Sequence, residues 1–179
     1  NTNFKNSSGW PEDNHYSTVY DLAIISNSLI RDFPDLYSYF SEKEFTYNDI
    51  KQPNRNRLLY NVNGADGLKT GYLKKSGWGI AGSAIRNDRR ITVVINGTNS
   101  SRSRLNESSN LLNWAFKQTT QKILVHKDQI IKNVDVWLGS KPTVNLVVEK
   151  DVVSILSFDQ LKLIKSTIHY EKPISAPIK

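Results

Sequence analysis

The chain has 179 residues, room for one well-filled core or for one domain with a small second one. It is 38% hydrophobic and 23% charged with a net charge of +7, ordinary for a soluble globular protein and attractive to anionic partners such as a membrane surface, a cell-wall polymer or nucleic acid. Cysteine is absent, which excludes disulfides, thiolate metal sites and a cysteine nucleophile.

His15, His126 and His169 are too scattered for a metal cluster, so no metal is implied. No apolar run approaches the roughly 18 residues of a membrane-spanning helix, and no signal-peptide pattern opens the chain. No basic run resembles the arms that nucleic-acid binders use. Methionine is absent, so Asn1 is not read as a translation start and the chain is expected to be part of a longer protein.

Residues 1–16 are polar and turn-rich, and read as an ordered loop because Phe4, Trp10 and Tyr16 are costly to expose. Ser17 or Thr18 can cap a helix, with Asp21 in capping-box spacing from Thr18. Val19, Leu22, Ile25 and Leu29 repeat at helical spacing to about Ile30 or Arg31, and Asp32-Phe33-Pro34 ends the run. Asp35 to Phe40 reads as a short second helix and Glu44 to Tyr47 as a short strand. Residues 48–63 read as an irregular polar stretch, either functional or a surface loop.

Residues 66–97 read as an antiparallel meander. Its strands are Leu68–Leu73, Trp78–Ile85 and Arg89–Asn96, joined by Lys74–Gly77 and by the hairpin dipeptide Asn87-Asp88. Ile91 to Ile95 is nearly continuous apolar and is expected to be buried on both faces. A helix is expected from about Arg104 to Gln118, with Leu105, Leu112 and Phe116, joined by Leu111 and Ala115, as its apolar stripe. A helix stripe on a meander gives an α+β class. After residue 120 the texture changes to short β-compatible runs without a helix, which reads as a small all-β domain. The expected division is 1–120 and 121–179, with Ile174 to Lys179 trailing off mid-pattern, as if the second domain were incomplete.

The chemistry centres on Lys69-Thr70-Gly71, which follows the glycine-flanked Asp66. A cation, a hydroxyl and a residue without a Cβ stand together on an extended backbone. That suits a small anionic ligand lying along a strand. The plain alternative is an exposed lysine beside a turn.

The surrounding residues resemble the D-alanyl-D-alanine carboxypeptidases, the low-molecular-mass penicillin-binding proteins. The resemblance runs through His15-Tyr16-Ser17-Thr18, Leu29 to Pro34, Ser41 to Asn48, Asn54-Arg55-Asn56, Asp66 to Gly71, Ala81 to Ala84 and Leu111 to Phe116. It implies a partial transpeptidase-like domain followed by the start of a β-rich one. It also implies a periplasmic enzyme that removes the terminal D-alanine from peptidoglycan stem peptides through an acyl-serine, and that β-lactams trap. The family's anchor to the outer face of the inner membrane is not in this sequence. The resemblance implies no cofactor and no nucleic-acid partner.

By the resemblance, Lys69 acts beside the reacting serine, Thr70 donates to the substrate carboxylate, and Gly71 makes room for the peptide. The backbone N–H of Tyr72, where relatives often have histidine, contributes to an oxyanion hole. Arg104 falls where relatives carry a carboxylate-binding arginine, its plain alternative being a helix-start residue paired with Glu107. Arg55 is a weaker candidate for the rim. The departure is large: no serine has a lysine three positions on, and the one Ser-x-Asn match, Ser108-Ser109-Asn110, follows Lys69 in the wrong order. This chain alone is therefore expected to be inactive. The alternatives are a non-catalytic wall-binding domain, a β-lactamase or D,D-endopeptidase sharing the motifs, and, on charge alone, a nucleic-acid binder.

Overall fold

The computed structural model describes residues 1–176. Two compact units make up the chain, Asn1–Lys117 and Gln118–Lys179.

The first unit is built on a three-stranded antiparallel sheet, β3 (Ala65–Leu73), β4 (Gly77–Arg86) and β5 (Arg89–Thr98), in sequence order, as the meander reading required. Asn87 and Asp88 both adopt positive φ, 49° and 60°, the geometry of a two-residue hairpin turn. Alternation along the strands sorts the side chains. Leu68, Thr70 and Tyr72 share one face with Ile80, Ala84 and Val93, while Gly67 and Lys69 share the other with Ser83 and Arg90. β3 lies at one side of the sheet, so its outer edge has no strand partner among the described residues.

The first face carries the core. Leu58, Val62, Ile80, Ala84, Val93 and Leu112 are buried together, with Leu105 and Phe116 packed against them. Each buried Leu, Ile or Val side chain there contributes about 1.5–3 kcal/mol of transfer free energy. Within β5 only Val93 is fully buried; Ile91, Thr92, Val94 and Ile95 are half-buried, so the expectation of burial on both faces is not met.

α4 (Ser101–Gln118) begins three residues earlier than its sequence pattern indicated. Its buried positions are Arg104, Ser108 and Leu112, while Leu111 is 39% exposed. The packed stripe thus runs through a cation and a hydroxyl that a hydropathy pattern does not count as core.

The other face of the sheet receives α1 (Val19–Asp32), which packs on β5. Thr18 caps it, accepting from the Asp21 N–H at 3.0 Å. The reciprocal half of a capping box is not made: the Asp21 carboxylate instead accepts from Thr2 and from the Asn1 amino group. Val19 and Ile25 are 47% and 43% exposed, and the buried residue is Ser26, whose small side chain donates to the Leu22 carbonyl at 2.7 Å.

α2 (Pro34–Tyr37) and a 3-10 turn (Ser38–Ser41) follow. The stretch 48–63 is more ordered than its composition implied. β1 (Glu44–Tyr47) and β2 (Ile50–Pro53) form a hairpin over Asn48-Asp49, and α3 (Leu58–Asn61) inserts Leu58 and Leu59 into the interior. The opening loop is pinned by the Asn3–Tyr16 bridge. Its aromatics nevertheless stay exposed, Trp10 by 75%, contrary to the cost that led to an ordered-loop reading.

In the second unit β6 (Thr119–Val125) pairs antiparallel with β9 (Val152–Ser157). β7 (Ile130–Trp137) pairs antiparallel with β8 (Thr143–Val147) and parallel with β10 (Ile174–Ser175). The unit is not all-β. Phe158–Leu163 is a helix, α5, where Leu161 to Ile164 suggested a strand, because Ser157 and Gln160 close a full capping box. Ile168-His169-Tyr170 forms no strand. The last three residues of the expected trailing segment, 177–179, lie outside the described ones.

Candidate active site

Strand β3 carries Lys69, Thr70, Gly71 and Tyr72 in register with Ala81, Ile80, Gly79 and Trp78 of β4. Lys69 is exposed and its ammonium donates to the Thr70 carbonyl at 2.7 Å. No acidic partner pairs with it among the described residues. Alternation sends Lys69 to one face of the strand and Thr70 to the other, so a ligand laid along the free edge would have the cation on one side and the hydroxyl on the other. A Cβ built on Gly71 meets nothing within 4 Å. The space beside that backbone is open.

Arg104 reaches this strand from the first turns of α4. It is 6% exposed, and its Nη1 donates to the Gly71 carbonyl at 3.3 Å. Its Cζ lies 5.3 Å from the Trp78 ring centroid. Glu107 is not its partner; among the described residues Arg104 pairs with no carboxylate. Burial lowers its pKa from the usual arginine value, the mark of a desolvated cation without a counter-charge. Such a group gains from any anion brought beside Gly71. Arg104 and the Lys69-Thr70-Gly71 strand therefore come together, as the spacing alone could not establish. Arg55 does not join them. It is exposed, ahead of α3, and its side chain makes no hydrogen bond or ion pair among the described residues.

Ser108 is fully buried and its hydroxyl donates to the Arg104 carbonyl at 2.7 Å. A hydroxyl spent inside its own helix is no nucleophile, so the Ser-x-Asn match is a packing feature.

Composition and spacing did not reveal the cluster behind Lys69. Arg90 forks onto Asp66, Nη1 to Oδ1 at 2.8 Å and Nη2 to Oδ2 at 2.7 Å. Its Nη1 also donates to Ser83 Oγ at 2.8 Å, and the Tyr37 hydroxyl donates to Asp66 Oδ1 at 2.8 Å. Tyr37 is 7% exposed, and its ring lies against Gly67 near the start of β3. A Cβ on Gly67 would run into the Tyr37 hydroxyl and come within 3.0 Å of Cζ. The glycine after Asp66 is thus explained by the tyrosine against it. Burial, more than any other cause, raises the Tyr37 pKa well above the ordinary phenol value. The sequence signal was the glycine-flanked Asp66; nothing marked Arg90 as its partner.

An antiparallel sheet covered by helices is an α+β arrangement, and solved penicillin-binding proteins share it. Penicillin binding protein 5 from Haemophilus influenzae has this fold, with TM-score 0.84 and 34% identity over 99% of this chain and 52% of that one. Penicillin-Binding Protein D2 from Listeria monocytogenes, solved in a cefotaxime-bound form, matches at TM-score 0.60 and 29% identity over 64% of this chain and 48% of that one.

The chain belongs to the D-alanyl-D-alanine carboxypeptidase family, whose model matches residues 1–99. The model of the Penicillin-binding protein 5 C-terminal domain matches residues 119–179. The D-alanyl-D-alanine carboxypeptidase DacC of Escherichia coli (strain K12) is 36% identical over 181 residues, covering 100% of this chain and 45% of that protein. The chain spans about half the length of the curated relatives it matches.

Proposed function

We propose that this chain is the carboxylate-binding half of a serine-type D-Ala-D-Ala carboxypeptidase. Residues 1–120 would form the C-terminal part of the catalytic domain and 121–179 the start of the β-rich domain. The observation that carries the reading is Arg104, a buried cation without an acid partner, held at the Gly71 carbonyl beside Lys69 and Thr70. A stem peptide ending in D-Ala-D-Ala would add along the free edge of β3. Its terminal carboxylate would take Arg104 and the Thr70 hydroxyl, while Lys69 would place positive charge beside a serine supplied by the half of the protein that this chain does not span. The Tyr72 N–H would serve the oxyanion.

A β-lactam carries the same carboxylate next to an acylating carbonyl, so it would occupy the same groove and stay bound as an acyl-enzyme. The cefotaxime-bound relative supports this extension. An enzyme acting on peptidoglycan works outside the cytoplasm, which supports a periplasmic location at the outer surface of the inner membrane. Among the described residues no helix is long and apolar enough to cross a membrane, so attachment would be supplied elsewhere.

The test uses this chain fused behind the first half of the Haemophilus influenzae protein. The fusion is expected to label with fluorescent penicillin and Lys69→Ala to label at least a hundredfold more slowly, the size of effect that loss of one transition-state donor produces. Undiminished labelling by the variant overturns the role of Lys69. Peptidoglycan retention by a fusion that never labels would favour the second reading, a non-catalytic wall-binding domain, to which the lack of any Ser-x-x-Lys in these residues points.

A further inference from the structure

The anion site has an unusual support. Arg104 is held by one long hydrogen bond, 3.3 Å to the Gly71 carbonyl, and by the ring of Trp78. One such bond does not fix a side chain with four rotatable bonds and five donors. A carboxylate partner would fix it, but would also neutralise it. An aromatic face holds a guanidinium through its quadrupole and leaves the positive charge available to a ligand.

Trp78 is itself fixed at three points. Its carbonyl accepts from the Thr98 hydroxyl at 3.0 Å. Its ring packs on that of its cross-strand partner Tyr72, centroids 4.4 Å apart at 36°. A register shift between β4 and β5 follows immediately at Gly79, where a Cβ would collide with the Asn96 side chain at 2.6 Å. Trp78 therefore contacts both the Tyr72 ring and the Arg104 guanidinium, on backbone pinned by the Thr98 hydroxyl and by the close approach of β5 at Gly79.

We infer that Trp78 is a positioning residue for Arg104: it orients the guanidinium toward the carboxylate of an acyl-D-Ala-D-Ala ligand without neutralising it, and the Tyr72 ring packs against the indole. The inference rests on the reading of Arg104 as the carboxylate receptor.

The experiment separates the two. The 15N-labelled chain is titrated with diacetyl-L-lysyl-D-alanyl-D-alanine and with its C-terminal amide, following the Arg104 Nε–Hε resonance. The acid is expected to shift it and the amide to bind about tenfold more weakly. Trp78→Leu keeps apolar bulk without a π face and is expected to abolish that preference; Trp78→Phe is expected to restore most of it. Thermal melts and the Leu112 methyl resonances confirm the fold of each variant. If Trp78→Leu keeps the wild-type preference while Arg104→Ala loses it, the positioning role is overturned and the carboxylate site stands. If the acid leaves the wild-type Arg104 resonance unmoved, or Arg104→Ala keeps the preference, both fall. A Trp78→Leu variant that does not fold leaves the decision to Trp78→Phe, whose failure to prefer the acid also overturns the role.

Discussion

Arg90 and Asp66 meet fork to fork, two parallel N–H···O bonds of 2.8 and 2.7 Å three residues before Lys69. The pair ties β5 to the start of β3 across β4, whose Ser83 accepts a third bond from the same guanidinium. Tyr37 adds a fourth, from α2. Four elements are thus joined at the point where the edge strand begins.

Removing one partner leaves the other without a counter-charge in a site only about a quarter exposed. Asp66→Asn is expected to lower stability by about 1–3 kcal/mol, less than for a fully buried pair because water screens part of the interaction. Urea unfolding reads this directly. A double-mutant cycle with Arg90→Gln is expected to give a coupling of at least about 0.5 kcal/mol. Additive losses would mean that the fork contributes nothing of its own.

Tyr37 makes stability depend on alkaline pH. Its folded-state pKa is raised, chiefly by burial. The folded chain therefore keeps a proton that the unfolded chain gives up near the ordinary phenol value of about 10. The contribution is fully present below that pH and is lost as pH rises toward the folded-state pKa. Melts between pH 9 and 11 are expected to show the wild type losing stability faster than Tyr37→Phe above about pH 10. Parallel curves would refute the linkage.

Two glycines of β3 separate folding from binding. Gly67→Ala forces a methyl into the Tyr37 hydroxyl and ring. It is expected to cost about 1–3 kcal/mol. Gly71→Ala meets nothing within 4 Å. Its melt should match the wild type within about 0.5 kcal/mol, while its methyl occupies the space a peptide needs. A Gly71→Ala fusion that labels with penicillin at the wild-type rate would contradict a ligand at this edge.

Leu112 is fully buried among Leu58, Ile80 and Val93. Leu112→Ala is expected to destabilise by about 2–5 kcal/mol, since rigid strands on one side limit collapse of the cavity. Chemical denaturation gives the value, and a loss below about 1 kcal/mol would mean that α4 is not the lid of this core.

The sequence by itself determined the meander, because β-branched alternation and Asn87-Asp88 encode it locally. It determined the Thr18 cap, and it put Lys69, Thr70 and Gly71 on one strand. It also held the family's ordered residues. It misjudged the hairpin at residues 44–53, α5 and the α4 stripe, where a two-residue turn, a capping box and a buried cation outweighed average hydropathy. Only the tertiary structure decided that Arg104, 33 positions after Gly71, donates to its carbonyl, that Arg90 holds Asp66, and that Trp78 lies under the arginine. The reason is physical. Local signals report what a residue does to its own backbone. Whether a charge is paired, desolvated or stacked depends on which distant groups packing brings within a few ångströms, and no short window of sequence contains them.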